Sequence, residues 1–454
     1  MPTSAEPAAP SLAASGSRKA PRLPAPPILG LLPEWRRSPL PVLERAALVD
    51  PELVGIPLVV PVHLVNGLEG ARRVLQENQA NYIKGLDYQR MRPVLGEGLL
   101  TANGETWRTH RRMIQPAFHH KRLASFGAQM LAGAERMLAR WRNLPADQVI
   151  DLHQEMMRLT LEILGRALFS SDMGPFVDAI GGSVGVLLSA IDQRVNHIVA
   201  WPTWIPTPFN RRLMRQVRVL EQVVSSLVEA RQKNGGPEDD LLGMLLAAKN
   251  EDGSPGLSPS QLRDEIITVI LAGHETTANA LSFAFHLLAH HPAERGELEE
   301  ACRGVQLGPE DLGKVPLLRW TIDEAMRLYP PAWAVARQAV ASDRIAGYEI
   351  RAGSIVLVAP WTLHRDPRFW EEPLRFRPRR FSEERPDALA FMPFGAGPRM
   401  CIGKGFAMME LELVLARILE EVEVISLAPR DLPLEPTITL RPKGGLPARL
   451  RWRT

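Results

Sequence analysis

Phe394-Gly395-Ala396-Gly397-Pro398-Arg399-Met400-Cys401-Ile402-Gly403 places one thiol in a glycine- and proline-rich loop, with a helix-forming stretch, 404–421, directly behind it. A thiol just before a helix N-terminus meets unpaired backbone N–H groups and the positive end of the helix dipole. Both favour the thiolate, which is the form that binds metal. Gly395, Gly397 and Gly403 allow tight turns and the close approach of a flat ligand. Arg399 brings a permanent cation to the same place. A lone cysteine is more often a small buried hydrophobe. A loop thiolate beside an anion-binding arginine, however, suits an iron cofactor that carries carboxylates. No apolar strand leads into the loop, which excludes a dinucleotide-binding turn.

The chain has 454 residues, 45% of them hydrophobic, enough for a large core. Length alone suggests two or three domains, but no break in composition supports a division. The net charge of +3 is small, and Lys and Arg are interspersed with nearly as many acids. Nothing here favours nucleic-acid binding. Two cysteines, Cys302 and Cys401, do not make a secreted disulfide scaffold and fit a reducing, cytoplasmic setting. The Ala/Ser/Pro-rich start lacks the basic and apolar regions of a signal peptide. No apolar run reaches the ~18 residues needed to span a bilayer.

The pattern predicts a Pro-rich lead at 24–41 and short strands at 58–60 and 63–65. Helices are predicted over 70–77, 104–113, 123–144, 151–168 and 216–233, with loops at 234–240 and 250–257. Strands return over 337–358, turning at Gly347. The segments 437–440 and 446–452, around Gly444-Gly445, read as a hairpin. Ser258-Pro259-Ser260-Gln261 is a capping box with proline at the first helical position. It predicts a helix running to His291, stopped by Pro292 and about 50 Å long. So few charges follow Glu265 that this helix must cross the core. In its middle, Ala272-Gly273-His274-Glu275-Thr276-Thr277 forms a polar defect, since mid-helix Gly costs roughly 1 kcal/mol and Thr hydroxyls can bond back to preceding carbonyls. His286 and His290 share i,i+4 spacing, but no third ligand accompanies them. Glu324 and Arg327, at i,i+3, can pair. Trp107 and Arg111 share one helix face, where an aromatic–cation pair is the simplest reading.

Four separated segments resemble the cytochrome P-450 family in the correct order, and the resemblance covers residues ~30 to 454. The decapeptide around Cys401 matches the family's haem-binding signature, Phe-Gly-x-Gly-x-Arg-x-Cys-x-Gly, at every defining position. The polar defect looks like the family's (Ala/Gly)-Gly-x-(Asp/Glu)-Thr-(Thr/Ser) segment above the haem. Glu324-x-x-Arg327 is followed by His364-Arg365-Asp366-Pro367 and by Phe376-Arg377-Pro378-Arg379-Arg380-Phe381. The last is similar to Phe-x-Pro-Glu-Arg-Phe, with Arg379 where Glu is common. Trp107-x-x-x-Arg111 is similar to a helix that holds a haem propionate, and Arg337 matches another propionate-binding position.

The resemblance implies a mainly α (α+β) cytochrome P-450 fold with small N-terminal and C-terminal β-sheets. Residues 23–454 would form one domain behind a disordered Pro/Ala-rich tail, 1–22. It implies haem b with the Cys401 thiolate as metal ligand, which favours O–O cleavage, and with Trp107, Arg111, Arg337 and Arg399 at its carboxylates. Gly273 would leave room for oxygen, Glu275 and Thr276 would relay protons, and Glu324, Arg327 and Arg380 would brace the cysteine loop. Val269, Ala272, Trp333, Val335, Thr437 and Ile438, with 86–99, would line an apolar substrate pocket. The expected activity is monooxygenation of a fatty acid, terpenoid, steroid or polyketide by dioxygen. The 53 residues after Cys401 and the two cysteines leave no place for a flavin domain or an iron–sulfur cluster. Electrons would therefore come from a ferredoxin or flavodoxin with its NAD(P)H reductase, docking near Arg108, Arg112, Lys121, Arg122 and Lys404. A soluble, bacterial-type monomer is expected. A peroxygenase using hydrogen peroxide, or a haem sensor or electron carrier, are the alternatives.

Overall fold

The computed structural model describes residues 18–145, 147–196, 201–249, 253–254, 256–305, 307–383 and 386–453. Among the described residues the structure is 56% helical, with sixteen α-helices accompanied by small sheets, which is the mainly α class expected. None of the described helices is long and apolar enough to cross a membrane.

The long helix Pro259–His290 is the axis of the fold. Its capping box forms as read: the Gln261 N–H donates to Ser258 Oγ at 3.2 Å, and the Ser258 N–H donates to Gln261 Oε1 at 2.9 Å. Helices Leu152–Phe169, Pro208–Asn234, Pro316–Leu328 and Lys404–Glu421 all pack on it. The polar defect does not break it. Thr276 and Thr277 donate to the carbonyls of Ala272 and Gly273 at 2.8 and 3.0 Å, and the α-helix continues through them. A Cβ at Gly273 would lie 2.4 Å from Leu164 Cδ1, so Leu164 of helix Leu152–Phe169 packs directly over this glycine and would have to shift for any larger residue.

The five-stranded sheet runs Leu53–Pro57, Pro61–Val65, Ile355–Val358, Val335–Ala339, Tyr82–Ile83. Its one parallel pairing aligns Val62 with Ile355 and Val65 with Val358, so the N-terminal strands and the strands after residue 334 form one sheet. The strand expected at 58–60 is instead the turn between the first two strands. Val59 and Val60 sit exposed there, because pairing runs from Leu53↔Val65 to Pro57↔Pro61. The C-terminal hairpin is also corrected. Leu440–Pro442 pairs with Leu434–Pro436, while Pro447–Trp452 pairs with Val422–Ser426 and Ile150–Asp151. Gly444 and Gly445, both with positive φ, carry the chain from one sheet to the other. The helix Val177–Asn196 was not anticipated, because Gly181, Gly182 and Gly185 weaken its helical signal.

Most of the tail expected to be disordered lies outside the described residues. Residues 18–22, however, lie along the sheets. The Gly55 N–H donates to the Pro21 carbonyl at 2.7 Å, and the Glu349 N–H donates to the Arg18 carbonyl at 3.0 Å. These bonds occupy edge groups that strands would otherwise leave unpaired.

Glu324, Arg327 and Arg380 have no exposed surface. Arg327 grips Glu324 through two bonds, 2.7 and 2.9 Å, and Arg380 Nε adds a third at 3.0 Å. The remaining guanidinium N–H groups go to carbonyls. Arg327 donates to His364 and Pro373 at 2.7 and 2.6 Å, and Arg380 to Glu371 at 2.7 Å. His364 Nε2 then accepts the Met392 N–H at 3.0 Å, two residues before the cysteine loop. Arg379, where the family commonly has Glu, points outward and pairs with Glu297. Breaking a buried ion pair by removing one partner costs about 3–5 kcal/mol. Arg380→Met should lose about that much in chemical denaturation, whereas Arg379→Met should stay within about 0.5 kcal/mol.

Candidate active site

The cysteine loop is held by its own backbone. The Cys401 N–H donates to the Phe394 carbonyl at 2.9 Å, Gly395 to Met392 at 2.9 Å and Met400 to Gly397 at 3.0 Å. Gly397 has φ +70°, and a Cβ there would sit 1.9 Å from the Leu75 carbonyl oxygen. That contact presses the loop against the segment Arg73–Glu77. Gly403 has an ordinary φ of −85° as the residue before helix Lys404–Glu421, so its glycine does not serve a strained turn.

Cys401 is exposed, but the space it faces is interior: a cavity of about 590 Å³. Trp107, Arg111, Gly273, Thr276, Arg337 and Arg399 line the same cavity. So do Val269, Ala272, Trp333, Val335, Thr437 and Ile438, the residues expected to shape the pocket, together with Leu86, Met91 and Leu99. Burial pushes the Cys401 thiol up, and the Gly403 N–H, Arg111 and Lys404 counter it. In the chain by itself, desolvation thus outweighs the helix-terminus effect that the sequence suggested.

One face of the long helix makes the cavity wall: Val269, Ala272, Gly273, Thr276 and Ala280 follow one another at helical spacing. Its first turns also anchor the facing loop, where the Glu97 N–H donates to Asp264 at 2.8 Å and the Leu99 N–H to Glu265 at 3.1 Å. Across the cavity, Trp333 Nε1–H donates to the Thr437 carbonyl at 2.8 Å, joining two wall segments. Glu275 is not part of the wall. It is 1% exposed and accepts from Thr439 Oγ1 at 2.7 Å. Burial raises its carboxyl to about 7, with the Thr439 bond and Arg441 acting in the opposite direction.

Four cations converge at one end of the cavity: Lys84, Arg111, Arg337 and Arg399. Arg399 donates to the Ala102 carbonyl at 2.8 Å and stacks over the Trp107 ring at 4.1 Å. Arg111 donates to the Met400 carbonyl at 2.8 Å, Arg337 to that of Ala336 at 2.8 Å, and Lys84 to that of Leu100. Among the described residues, none of the four forms an ion pair with a carboxylate. Burial and then Arg337 bring Arg399 down to about 10. Burial and then Arg337, Arg399 and Arg111 hold Lys84 far below its ordinary value. Lys84 escaped the sequence analysis. It follows the two-residue strand Tyr82–Ile83, and no spacing relates it to arginines hundreds of residues away. Asn103 escaped it too, yet its Oδ1 accepts from Arg399 at 3.3 Å and from the Lys84 N–H at 3.1 Å.

Residues 57–446 match the Cytochrome P450 family. The chain belongs to that family. It is 34% identical to a putative cytochrome P450 132 of Mycobacterium tuberculosis, over 82% of this chain and 84% of that one. It is 32% identical to the cyclooctat-9-en-7-ol 5-monooxygenase of Streptomyces melanosporofaciens, over 77% of each. With the pentalenene oxygenase of Streptomyces avermitilis it shares 31% identity over 82% of each. As a cytochrome P450 it is an oxygen-incorporating oxidoreductase.

Cytochrome P450 membership implies haem with a cysteine thiolate ligand. The residues present fit that group, because one thiol and four cations lacking acidic partners face the same interior space. Among the basic residues expected to meet a redox partner, Arg112 and Lys404 are exposed. Arg108 pairs with Glu105 at 3.0 Å, and Arg122 is engaged by the Asp239 carbonyl and Met244. The Lys121 side chain lies outside the described residues. A charge-assisted bond contributes about 1.5–3 kcal/mol, so Lys84→Met should release haem to excess apomyoglobin roughly tenfold faster or more. Arg108→Met should leave that rate unchanged.

Proposed function

We propose that residues 23–454 form one haem-thiolate monooxygenase domain acting on a cyclic terpenoid. The observation that carries this reading is the meeting of Cys401, four cations without acidic partners and a mainly apolar lining in one cavity. Cys401 is the thiolate that holds the iron. Arg111, Arg337, Arg399 and Lys84, with Trp107, hold the two carboxylates, a task suited to arginine because it stays charged and binds in bidentate fashion. When bound, haem b supplies the redox chemistry by which dioxygen, two electrons and two protons give one water and one oxygen atom inserted into the substrate.

The chain's own residues divide the rest of the work. Val269, Ala272, Trp333, Val335, Thr437 and Ile438 exclude water and orient an apolar substrate. The Thr276 hydroxyl, on the cavity wall, and the Glu275 carboxyl, one residue before it, supply protons. Gly273, beside them on the wall, presents only backbone to the cavity, where oxygen would bind. Electrons come from a ferredoxin or flavodoxin and its NAD(P)H reductase, with the exposed Arg112 and Lys404 as contacts. The terpenoid class is favoured over fatty acids, steroids and polyketides because relatives that share about four fifths of the chain are named for cyclooctat-9-en-7-ol and pentalenene.

Three experiments test the reading. The reduced, carbon-monoxide-bound protein should show the long-wavelength Soret band of thiolate ligation, and Cys401→Ala should lose it. A short-wavelength band in the native protein would refute the ligand assignment. In a binding screen followed by the ferric spin-state shift, cyclic terpenes should produce the largest response; a response confined to linear fatty acids would refute the substrate class. Thr276→Ala should keep haem but divert reducing equivalents to hydrogen peroxide, lowering product per NAD(P)H by roughly tenfold or more.

A further inference from the structure

The side of the long helix turned away from the cavity carries a polar chain that the catalytic reading leaves unused. Glu275, Asn279, Thr439 and His153 are all buried. Thr439 Oγ1–H donates to Glu275 Oε1 at 2.7 Å. Asn279 Nδ2–H reaches Thr439 Oγ1 over a longer 3.4 Å, so the Asn279 carbonyl oxygen faces His153 Nε2 at 2.8 Å. Burial keeps His153 below its ordinary value, and a neutral imidazole with its proton on Nε2 completes the pattern. Each donor in this chain therefore points towards Glu275. The second oxygen of that carboxyl, Oε2, is buried and has no hydrogen-bond partner among the described residues.

A carboxyl group whose Oε1 already accepts a hydrogen bond carries its proton on the other oxygen. We propose that Thr439 is a positioning residue for proton delivery: by donating to Oε1 of Glu275, it fixes Oε2 as the oxygen that bears and releases the proton. This rests on the assignment of Glu275 to proton supply. When the proton leaves Oε2, the carboxylate keeps its Thr439 bond, and a proton from solvent restores the neutral acid. Asn279 and His153 orient the Thr439 hydroxyl, which has one proton and gives it to Glu275. The hairpin that carries Thr439 is held in turn by its own tip, where the Thr437 N–H and hydroxyl both donate to the Thr439 carbonyl, at 3.1 and 3.2 Å.

Other charged and titratable groups near Glu275 set the background. Arg441 lowers it and Glu435 raises it, both from the hairpin, and they pair with each other at 2.8 Å. His153 comes from helix Leu152–Phe169. His274, next to Glu275, is held at about 4 by burial and stays neutral. Against that background Thr439 is the one neutral hydrogen-bond donor acting directly on the carboxyl, and a donor to a carboxylate favours the charged form. Removing it moves the titration to higher pH.

The test uses the full chain with haem bound and compares Thr439→Val, Thr439→Ser and Glu275→Gln by infrared difference spectroscopy across pH. The native protein should show a protonated-carboxyl C=O band that titrates near neutral pH and is absent in Glu275→Gln. Thr439→Val should move that band to higher frequency, because the C=O loses its donor, and raise its midpoint by about one unit or more. Thr439→Ser should restore both. An unchanged band in Thr439→Val, or a band that persists in Glu275→Gln, overturns the positioning claim. Peroxide released per NAD(P)H, with the terpene that gives the largest spin-state shift, is the second measurement. It should rise severalfold in Glu275→Gln and in Thr439→Val and return to native in Thr439→Ser. Native coupling in Glu275→Gln overturns the proton-supply reading itself. A rise in Glu275→Gln alone overturns only the role of Thr439.

Discussion

Glu324 is one carboxylate asked to satisfy two fully buried guanidinium groups, and the placement of the reactive thiol depends on that arrangement. Two buried cations against one buried anion leave an excess positive charge in the core, which desolvation penalises heavily. The chain compensates by turning the carbonyls of residues 364, 371, 373 and 375 inward to the remaining N–H groups. A segment that makes little regular secondary structure thereby acquires a fixed course. The side chain of His364, in the same segment, takes the backbone of Met392, and the cysteine loop begins two residues later. The course of the chain into the cysteine loop is thus tied to charge satisfaction in the core, while the loop's own backbone bonds hold Cys401.

The long helix solves a second problem by dividing its faces. Its cavity face is made mainly of small and apolar groups, with the hydroxyls of Thr268, Thr276 and Thr277 among them. Its hidden face carries Glu275 and Asn279, tied to a hairpin and to a neighbouring helix. Putting an acid inside a helix bundle raises its affinity for protons, and here it reaches the value at which the group exchanges protons near neutral pH. Holding that acid off the cavity wall keeps the wall apolar. The same segment therefore keeps an apolar cavity wall and a titratable acid in separate environments.

The parts legible in the sequence were those whose signal is local. The capping box at Ser258, the stop at Pro292 and the turns at Gly395 and Gly397 each act over a few residues, and the structure has them where the sequence indicated. The pairing of Val62 with Ile355 could not be read, since nothing in either segment specifies a partner almost three hundred positions away. The apparent hairpin around Gly444-Gly445 failed for a related reason. Two glycines mark a turn, but not which strands flank it. Lys84 and Thr439 were hidden because a lone Lys or Thr has no periodicity, and only the fold brings one to the arginines and the other to Glu275. The burial of Cys401 was hidden, because a sequence displays the helix terminus but not the desolvation that opposes it.

The electrostatics of the cavity also bear on what holds the folded chain together. Burial lowers the proton affinity of Lys84, Arg111 and Arg399, and the neighbouring cations lower Lys84 and Arg399 further; the described residues offer the cluster carbonyls and one amide as hydrogen-bond partners but no paired carboxylate. Such a cluster is unfavourable for the protein alone. A bound dianion converts the mutual repulsion into paired, charge-assisted hydrogen bonds, and the stabilisation counts fully towards folding because the unfolded chain cannot assemble four cations in one place. Cys401 follows the same logic with the opposite sign: its thiol is held up by burial until a metal cation shares its site. Cation cluster and thiol are therefore complementary to a single flat ligand with negative groups at one edge and a metal at its centre. The energetic penalty written into the cavity is itself a description of that ligand.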